Sequence, residues 1–340
     1  MYSDSDLDAA VKAGVLSPSA VAGFRAFVAR EQGTAAVDEE QFRLLTGFND
    51  IFVSIAAILL LKALSWLGDS FGGPVVGGAA LALASWGLAE YFTRRRRMAL
   101  PSIVLLLGFV IGLFTLGGGM FERLGGVTVA GTVPLQLAAG GALAAIGTYG
   151  HWLRFKVPIT VAAGVAGALG AIGMLVLYLV PALAKQWAPL LLVGGLVVFA
   201  LAMWWDARDR TRTTRRSDVA FWLHLSAAPM IVHPIFKMLG LLGEGDSDLT
   251  RASAAVAIYL VLALVALAVD RRALLVSALF YVVYAMAALF KAAGTLSASF
   301  ALTALVIGAA LLLLSAFWHK ARALVVGLFP AGLRVRLPVV

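Results

Sequence analysis

The residues best suited to chemistry lie in one apolar segment, residues 218–243, which reads DVAFWLHLSAAPMIVHPIFKMLGLLG. An ionisable or polar group inside an apolar segment is costly in a bilayer, so each one is a functional candidate. The ordinary pKa of histidine suits it to carry a proton near neutral pH, and proline removes a backbone donor from a helix. The candidate binding or pathway residues of this segment are His233, His224, Lys237, Ser226, Pro229 and Pro234.

The spacing of these residues sets what they can do together. His224 and His233 are nine residues apart, which places them on opposite faces of a straight helix and predicts no shared metal. His233 and Lys237 are four apart and share a face, with His233 expected near the middle of the segment. Pro229 and Pro234 are expected to break the helix, as in transporters whose broken helices line the binding site. The alternative is that the histidines bond neighbouring helices and that the prolines are ordinary kinks.

Several chemical signatures are missing from the sequence. It has no cysteine, no P-loop, no HExxH pair and no G-x-S-x-G turn. We therefore predict no catalytic residues, no metal site and no cofactor. A membrane enzyme acting on lipid would need histidine and carboxylate groups to converge near one interface. The candidates for such convergence are Glu90, Tyr91, His151, Asp206 and Asp270.

The elements that carry these residues follow from composition. Hydrophobic residues make up 61% and charged residues 13% of the 340 positions, whereas a soluble domain is near half apolar and a quarter charged. Long apolar runs without alternation indicate helices, each crossing the bilayer in about 20 residues. The fold class predicted is all-α, a polytopic membrane bundle of about ten transmembrane helices. We expect the spans at 48–67, 74–93, 98–118, 131–150, 157–180, 188–205, 218–242, 251–269, 273–290 and 297–317.

The distribution of basic residues predicts the orientation. Of the 27 lysines and arginines, 21 fall on one side of the membrane when the predicted spans alternate. Basic residues are concentrated in cytoplasmic loops, so we predict that both termini are cytoplasmic. The remaining six lie on or near the opposite side and are Lys62, Arg123, Lys185, Lys237, Arg251 and Lys291.

Three regions are predicted along the chain. Residues 1–47 form a cytoplasmic helical hairpin, in which Gly14 stops one helix and Ser17 caps the next ahead of Pro18. Residues 48–317 form the transmembrane bundle. Residues 318–340 form a cytoplasmic interfacial tail or, equally, the frayed end of the last span.

The hairpin carries a resemblance. Residues 7–28 read LDAAVKAGVLSPSAVAGFRAFV, and a run of apolar helices follows them. This pattern resembles a bacterial family of uncharacterised multi-pass membrane proteins, in which a short N-terminal helical hairpin precedes the spans. The resemblance implies a protein of the bacterial inner membrane and adds no chemistry.

Three functions remain open at this level. The first is a secondary transporter or permease, with the proline-containing seventh span lining its site. The second is a non-catalytic subunit, scaffold or sensor that binds a cytoplasmic protein through residues 1–47. The third is an intramembrane enzyme acting on lipid. The basic loops predict contact with anionic lipid head groups rather than nucleic acid. Substrate and oligomeric state are not predicted.

Overall fold

The computed structural model describes the chain as helices, with no strand in the part that it describes. That part comprises residues 4–31, 48–125, 133–209, 212, 214–240, 249–272, 275–279, 282–283, 299–334 and 337. The chain divides into two compact units, Met1–Phe42 and Arg43–Val340. Most of the predicted ninth span, 273–290, and residues 32–47 of the predicted hairpin region lie outside the described residues.

The first unit is a pair of helices, α1 (Asp4–Lys12) and α2 (Pro18–Glu31). Gly14 follows α1 with a φ of 71°, a left-handed conformation that favours glycine. The Ser17 hydroxyl accepts a hydrogen bond from the Ala20 amide at 3.1 Å, so α2 begins with the predicted serine cap. The local turn chemistry therefore confirms the stop and start signals of the sequence.

The second unit contains the remaining helices, most of them long and apolar. Their bounds are α3 (Phe48–Ala89), α4 (Ala99–Gly125), α5 (Val133–Phe155), α6 (Ile159–Leu179), α7 (Trp187–Ala207), α8 (Arg215–Met238), α9 (Leu249–Val269), α10 (Ser299–Ala316), α11 (Trp318–Gly327) and α12 (Ala331–Arg334). A π-helix at Glu90–Arg95 extends α3, and a 3₁₀ helix at Pro181–Gln186 precedes α7.

Membrane-crossing length is the property that defines this unit. Five helical stretches in the described part of the chain are long and apolar enough to cross a membrane. The number is six if α10 and α11, which meet at an angle of 77°, are counted as one bent span. The chain is thus an all-helical membrane protein. The number of ten spans and the orientation stay predictions.

The stretch Phe48–Arg95 is broken at a glycine pair. Gly73 has a φ of 68° and precedes Pro74, a residue that disfavours helical backbone before it. A Cβ placed on Gly68 would lie 2.7 Å from the Cα of Gly77, which requires the chain to reverse between them. The break therefore makes two antiparallel helices, and it falls between the predicted first and second spans.

Glycine residues allow neighbouring helices among α3, α4, α5 and α6 to pack closely. A Cβ on Gly112 would lie 2.6 Å from the Ala82 nitrogen, and one on Gly141 would lie 2.8 Å from the Gly167 oxygen. Such distances mean backbone-to-backbone packing, the arrangement typical of small residues in membrane helices. In contrast, a Cβ added at Gly170 or Gly173 of α6 would meet no described heavy atom of its surroundings within 4 Å, so the close packing does not extend to this part of α6.

The predicted tail begins with a helix that is part of the bundle. Trp318, Arg322 and Val326 of α11 are buried, and the helix packs beside α9 and α10. Because α11 turns by 77° away from α10, it does not prolong that span as a straight helix. Trp318 and Arg322 of α11 both reach Asp270, the residue that follows α9.

Candidate functional site: a buried ionic cluster

Asp206, in the last turn of α7, is the centre of a buried ionic contact. Its Oδ1 accepts a hydrogen bond from Arg271 Nη2 at 2.6 Å, and its Oδ2 accepts one from Arg271 Nε at 3.3 Å. The same Oδ2 lies 3.0 Å from Nε2 of His224, in the third turn of α8. The three side chains are at most 2% exposed. One carboxylate thus joins α7, α8 and the segment that follows α9.

The position of Arg271 follows from the way α9 ends. Asp270, the first residue after the helix, has a φ of 60°, and the Arg271 amide donates to the Ala266 carbonyl at 3.0 Å. This is the left-handed helix end in which glycine is the usual residue. The turn directs Arg271 back toward α8, where its Nη2 also donates to the Ser217 carbonyl at 3.2 Å.

Asp270 is the second carboxylate of the cluster. It accepts hydrogen bonds from Arg212 Nη1 and from the Trp318 indole, each at 2.7 Å. Arg322 of α11 adds an ion pair at 3.6 Å, and Arg212 Nη2 also donates to the Val269 carbonyl at 3.3 Å. This carboxylate therefore joins the α7–α8 loop, the end of α9 and α11.

The Asp209 carboxylate stabilises the turn of the α7–α8 loop that contains Arg212. Oδ2 of Asp209 accepts hydrogen bonds from the Thr214 amide at 3.0 Å and from its hydroxyl at 2.6 Å. The Thr214 hydroxyl in turn caps α8 by accepting from the Arg216 amide at 3.2 Å. Between these residues, Arg212 adopts a φ of 53° and turns inward.

The ionic cluster contains two carboxylates and three guanidinium groups. Burial lowers the pKa of Arg212 from its ordinary value, and the nearby positive charge of Arg271 adds to this effect. An arginine nevertheless keeps its proton in proteins, so Arg212 needs the Asp270 carboxylate beside it. We define the ionic cluster as Asp206, Arg212, Ser217, His224, Asp270, Arg271, Trp318 and Arg322.

His233 lies toward the other end of the α7–α8 pair. Its ring centre is 5.8 Å from the ring of Trp187, the first residue of α7, and the Lys237 ammonium is 5.7 Å from the same ring. Trp187 and Asp206 are 19 residues apart in one helix, about 28 Å along its axis. His233 lies five residues before the end of α8 at Met238, rather than mid-helix.

His224 and His233 therefore lie in different environments. His233 and Lys237 share a face, as predicted, and both meet Trp187. His224 meets Asp206 and lies edge-to-face with Phe199, with ring centres 5.2 Å apart. They contact α7 near its two ends and form no common site.

The remaining candidates lie in an uninterrupted helix. Both Pro229 and Pro234 are inside α8, which is continuous from Arg215 to Met238. Pro229 is exposed and Pro234 is buried. The Ser226 hydroxyl donates to the Trp222 carbonyl, one turn earlier, at 2.8 Å. The prolines therefore remove backbone donors without ending the helix, and no described contact joins Ser226 to either histidine.

The other polar groups considered for a lipid enzyme lie in α3–α6. Glu90 accepts two hydrogen bonds from Arg154 of α5, at 2.7 and 3.0 Å, and this pair is about one-third to two-fifths exposed. His151 is buried against aromatic rings, and its Nδ1 lies 3.2 Å from the Thr160 hydroxyl. In the described part of the chain, no group of three or more His, Cys, Asp or Glu could hold a metal.

Comparison with protein-family models, with curated proteins and with solved structures finds no match for this chain. Of the members of the ionic cluster, the sequence singled out His224 as a pathway candidate, and it placed Asp206 and Asp270 among the candidates for convergence near one interface. It missed the arginines and Trp318. The sequence held one indication of the cluster. The three segments that contain the arginines and Trp318 all fall on the predicted cytoplasmic side of the membrane.

Proposed function

We propose that this chain is a secondary transporter or permease of the bacterial inner membrane, with both termini cytoplasmic. In this proposal α8 lines the pathway and the ionic cluster is its cytoplasmic closure. The observation that carries the proposal is the cluster itself, because charges buried in a membrane bundle are costly and are kept where they serve function. The cluster also joins separate segments rather than neighbouring turns of one helix.

The contacts in the structure support the proposed orientation. The ionic cluster joins the α7–α8 loop, the end of α9 and the start of α11, which the basic-residue count assigns to the cytoplasm. On the other side, Lys237 meets Trp187, and the Arg123 guanidinium donates to the Gly72 carbonyl. In each case, the contact joins segments that alternating spans would bring to the same surface.

In this proposal the cluster exchanges between a closed and an open state. While closed, each buried arginine depends on a carboxylate contributed by another segment, and removing one partner leaves an unpaired charge. If the segments separate, water reaches the same groups and stabilises them in place of the ion pairs. An opening of this kind is the two-state element that alternating access requires.

Cysteine accessibility tests the proposal, because the native chain contains no cysteine. We would place single cysteines at His233 and Ser226 and label them with a membrane-impermeant thiol reagent from each side. A pathway closed on the cytoplasmic side predicts labelling from the outer side only. Adding Arg271→Gln should break the closure and allow Ser226→Cys to be labelled from the cytoplasmic side.

The matched control is Leu196→Cys, because Leu196 lies in the middle of α7 and is 51% exposed on the outside of the bundle. Lipid should shield this position from both sides. If the cysteines at 226 and 233 are labelled no more than the one at 196, α8 lines no aqueous pathway and the transporter proposal is wrong.

A second candidate, a scaffold or sensor that binds a cytoplasmic protein, is favoured by the hairpin. Phe24 and Phe27 of α2 are 50% and 58% exposed, and Val15 is 74% exposed. Exposed apolar side chains on a short hairpin are typical of an interaction surface. A photo-crosslinking residue at Phe27 should then capture a cytoplasmic protein, with Arg25, a charged residue of the same helix that forms an ion pair with Asp8, as the control position. Equal capture at both positions would count against this candidate.

The lipid-enzyme hypothesis is the least supported of the three. Asp206 and His224 are a carboxylate–histidine pair of the kind that it requires. However, Arg271 occupies the carboxylate, and both side chains are almost fully buried. In this conformation neither group can reach a substrate.

A further inference from the structure

The bond between His224 and Asp206 determines which ring nitrogen carries hydrogen. Oδ2 of an ionised carboxylate only accepts hydrogen bonds, so Nε2 of His224 must be the donor at 3.0 Å. In a neutral imidazole the other nitrogen, Nδ1, then carries a lone pair. Nδ1 is buried and has no hydrogen-bond partner among the described residues. A buried acceptor without a donor is unusual and needs an explanation.

The charged groups near His224 come from α7, the α7–α8 loop and the segment after α9. Asp206 faces it from α7, and Arg271 bonds the same carboxylate from the segment after α9. The α7–α8 loop contributes Arg212, and Asp218 lies six residues before His224 in α8. Of these groups, the Asp206 carboxylate is the one in direct contact. It is placed to stabilise a positive imidazolium, as carboxylates do beside histidines in proton-transfer sites.

We propose that Nδ1 of His224 is the binding site of a coupling proton, held by the Asp206–His224–Arg271 arrangement. This inference rests on the proposed transport function and names its coupling ion. A hydronium ion in the water that enters the opened closure transfers its proton to Nδ1. One O–H bond of the hydronium breaks, an N–H bond forms, water is left behind, and the imidazole becomes imidazolium. His224, rather than the more peripheral His233, is then the proton carrier of α8.

Binding of this proton changes the balance of the cluster. Asp206 is shared between Arg271 and His224, at 2.6 Å and 3.0 Å. While His224 is neutral, the carboxylate neutralises Arg271. Once His224 is charged, one carboxylate faces two cations, and the repulsion between them favours separation of Arg271 from α8. Protonation and opening of the closure are therefore coupled through a single carboxylate.

Nitrogen NMR of the full-length protein in lipid nanodiscs tests the proposal. The chain has four histidines, so ¹⁵N-histidine labelling gives four ring systems, each assigned by a His→Gln variant. In a titration run from about pH 8 to about pH 4, we expect His224 to be in the Nε2–H form at the alkaline end and to gain a proton at Nδ1 on acidification. If His224 stays in one neutral form over this range, the proton site is wrong.

Two variants separate a proton site from a structural contact. Asp206→Asn removes the charge that stabilises imidazolium, so protonation of His224 should shift to lower pH by about 1–3 units. Asp206→Glu keeps the carboxylate and should restore protonation toward the wild-type pH. The buried ring of His151 serves as the internal folding control, since its contact with Thr160 lies in α5 and α6. Equal titration of His224 in all three proteins would overturn the proposal.

The NMR result and the labelling result are separable. The titration needs no substrate and no transport. If His224 titrates while the cysteines at 226 and 233 stay unlabelled, the transport function fails and the proton is not a coupling ion. If the pathway is labelled but His224 does not titrate, transport stands and the proton site is overturned.

Discussion

The helices α3–α6 and the helices α7–α11 are held together by different interactions. In α3–α6, backbones approach closely at glycines such as Gly112 and Gly141, and the ion pair Glu90–Arg154 is partly exposed at the edge. In α7–α11, apolar packing between α7 and α8 is joined by a cluster of buried charges around Asp206 and Asp270. Close packing thus operates in both groups of helices, and α7–α11 add a buried ionic cluster at one end.

This difference predicts which helices move. Contacts between glycine backbones depend on short-range packing, and protonation or hydration near neutral pH does not change them. A buried ion pair is different, because its stability depends on keeping water and extra protons out. The α3–α6 half is thus suited to be the rigid part of the bundle, and α7–α11 to be the part that opens.

The largest effect should come from breaking the ionic cluster. Arg271→Ala leaves Asp206 buried without its main partner, which we expect to lower the unfolding free energy by about 3–5 kcal/mol. Unfolding of the purified protein by SDS measures this change. The double variant Asp206→Asn, Arg271→Met removes both charges and should lose markedly less. If Arg271→Ala is as stable as the wild type, the ionic cluster does not stabilise α7–α11.

A smaller effect is expected from disturbing the glycine contacts. In Gly112→Ala, the new methyl group would lie 2.6 Å from the Ala82 nitrogen and 2.7 Å from the Gly78 oxygen. Forcing these backbones apart should cost about 1–3 kcal/mol in the same unfolding assay. The control is Gly170→Ala, where the added methyl group would meet no described heavy atom of its surroundings within 4 Å. Equal stability of the two variants would refute close packing as the closure of α3–α6.

The smallest effect is expected at the exposed ion pair. Glu90→Gln removes the partner of Arg154, but both side chains reach solvent and are hydrated without each other. We expect no shift in the unfolding midpoint beyond measurement error, and cysteine labelling on α8 should be unchanged. If Glu90→Gln lowers the unfolding free energy as much as Arg271→Ala does, then an ion pair, and not only close packing, also stabilises α3–α6.

Some local features were predictable because neighbouring residues determine them. Gly14, Ser17 and Pro18 end one helix and start the next by backbone and capping chemistry alone. The break at Gly73–Pro74 follows equally from local conformational preference. The interruption expected at Pro229 and Pro234 did not follow, since α8 continues through both prolines. A proline in a helix removes one hydrogen bond, and packing against α7 can hold the helix together.

The sequence by itself determined that this is a helical membrane protein, because 61% hydrophobic composition and long apolar runs permit no other way to satisfy the backbone in lipid. It also determined which residues are polar enough to matter. Only the tertiary structure decided which of them meet. Asp206, His224, Arg271 and Trp318 are far apart in the chain, and no local rule relates them. Their convergence depends on how α7, α8, α9 and α11 pack, and so the cluster became visible only in three dimensions.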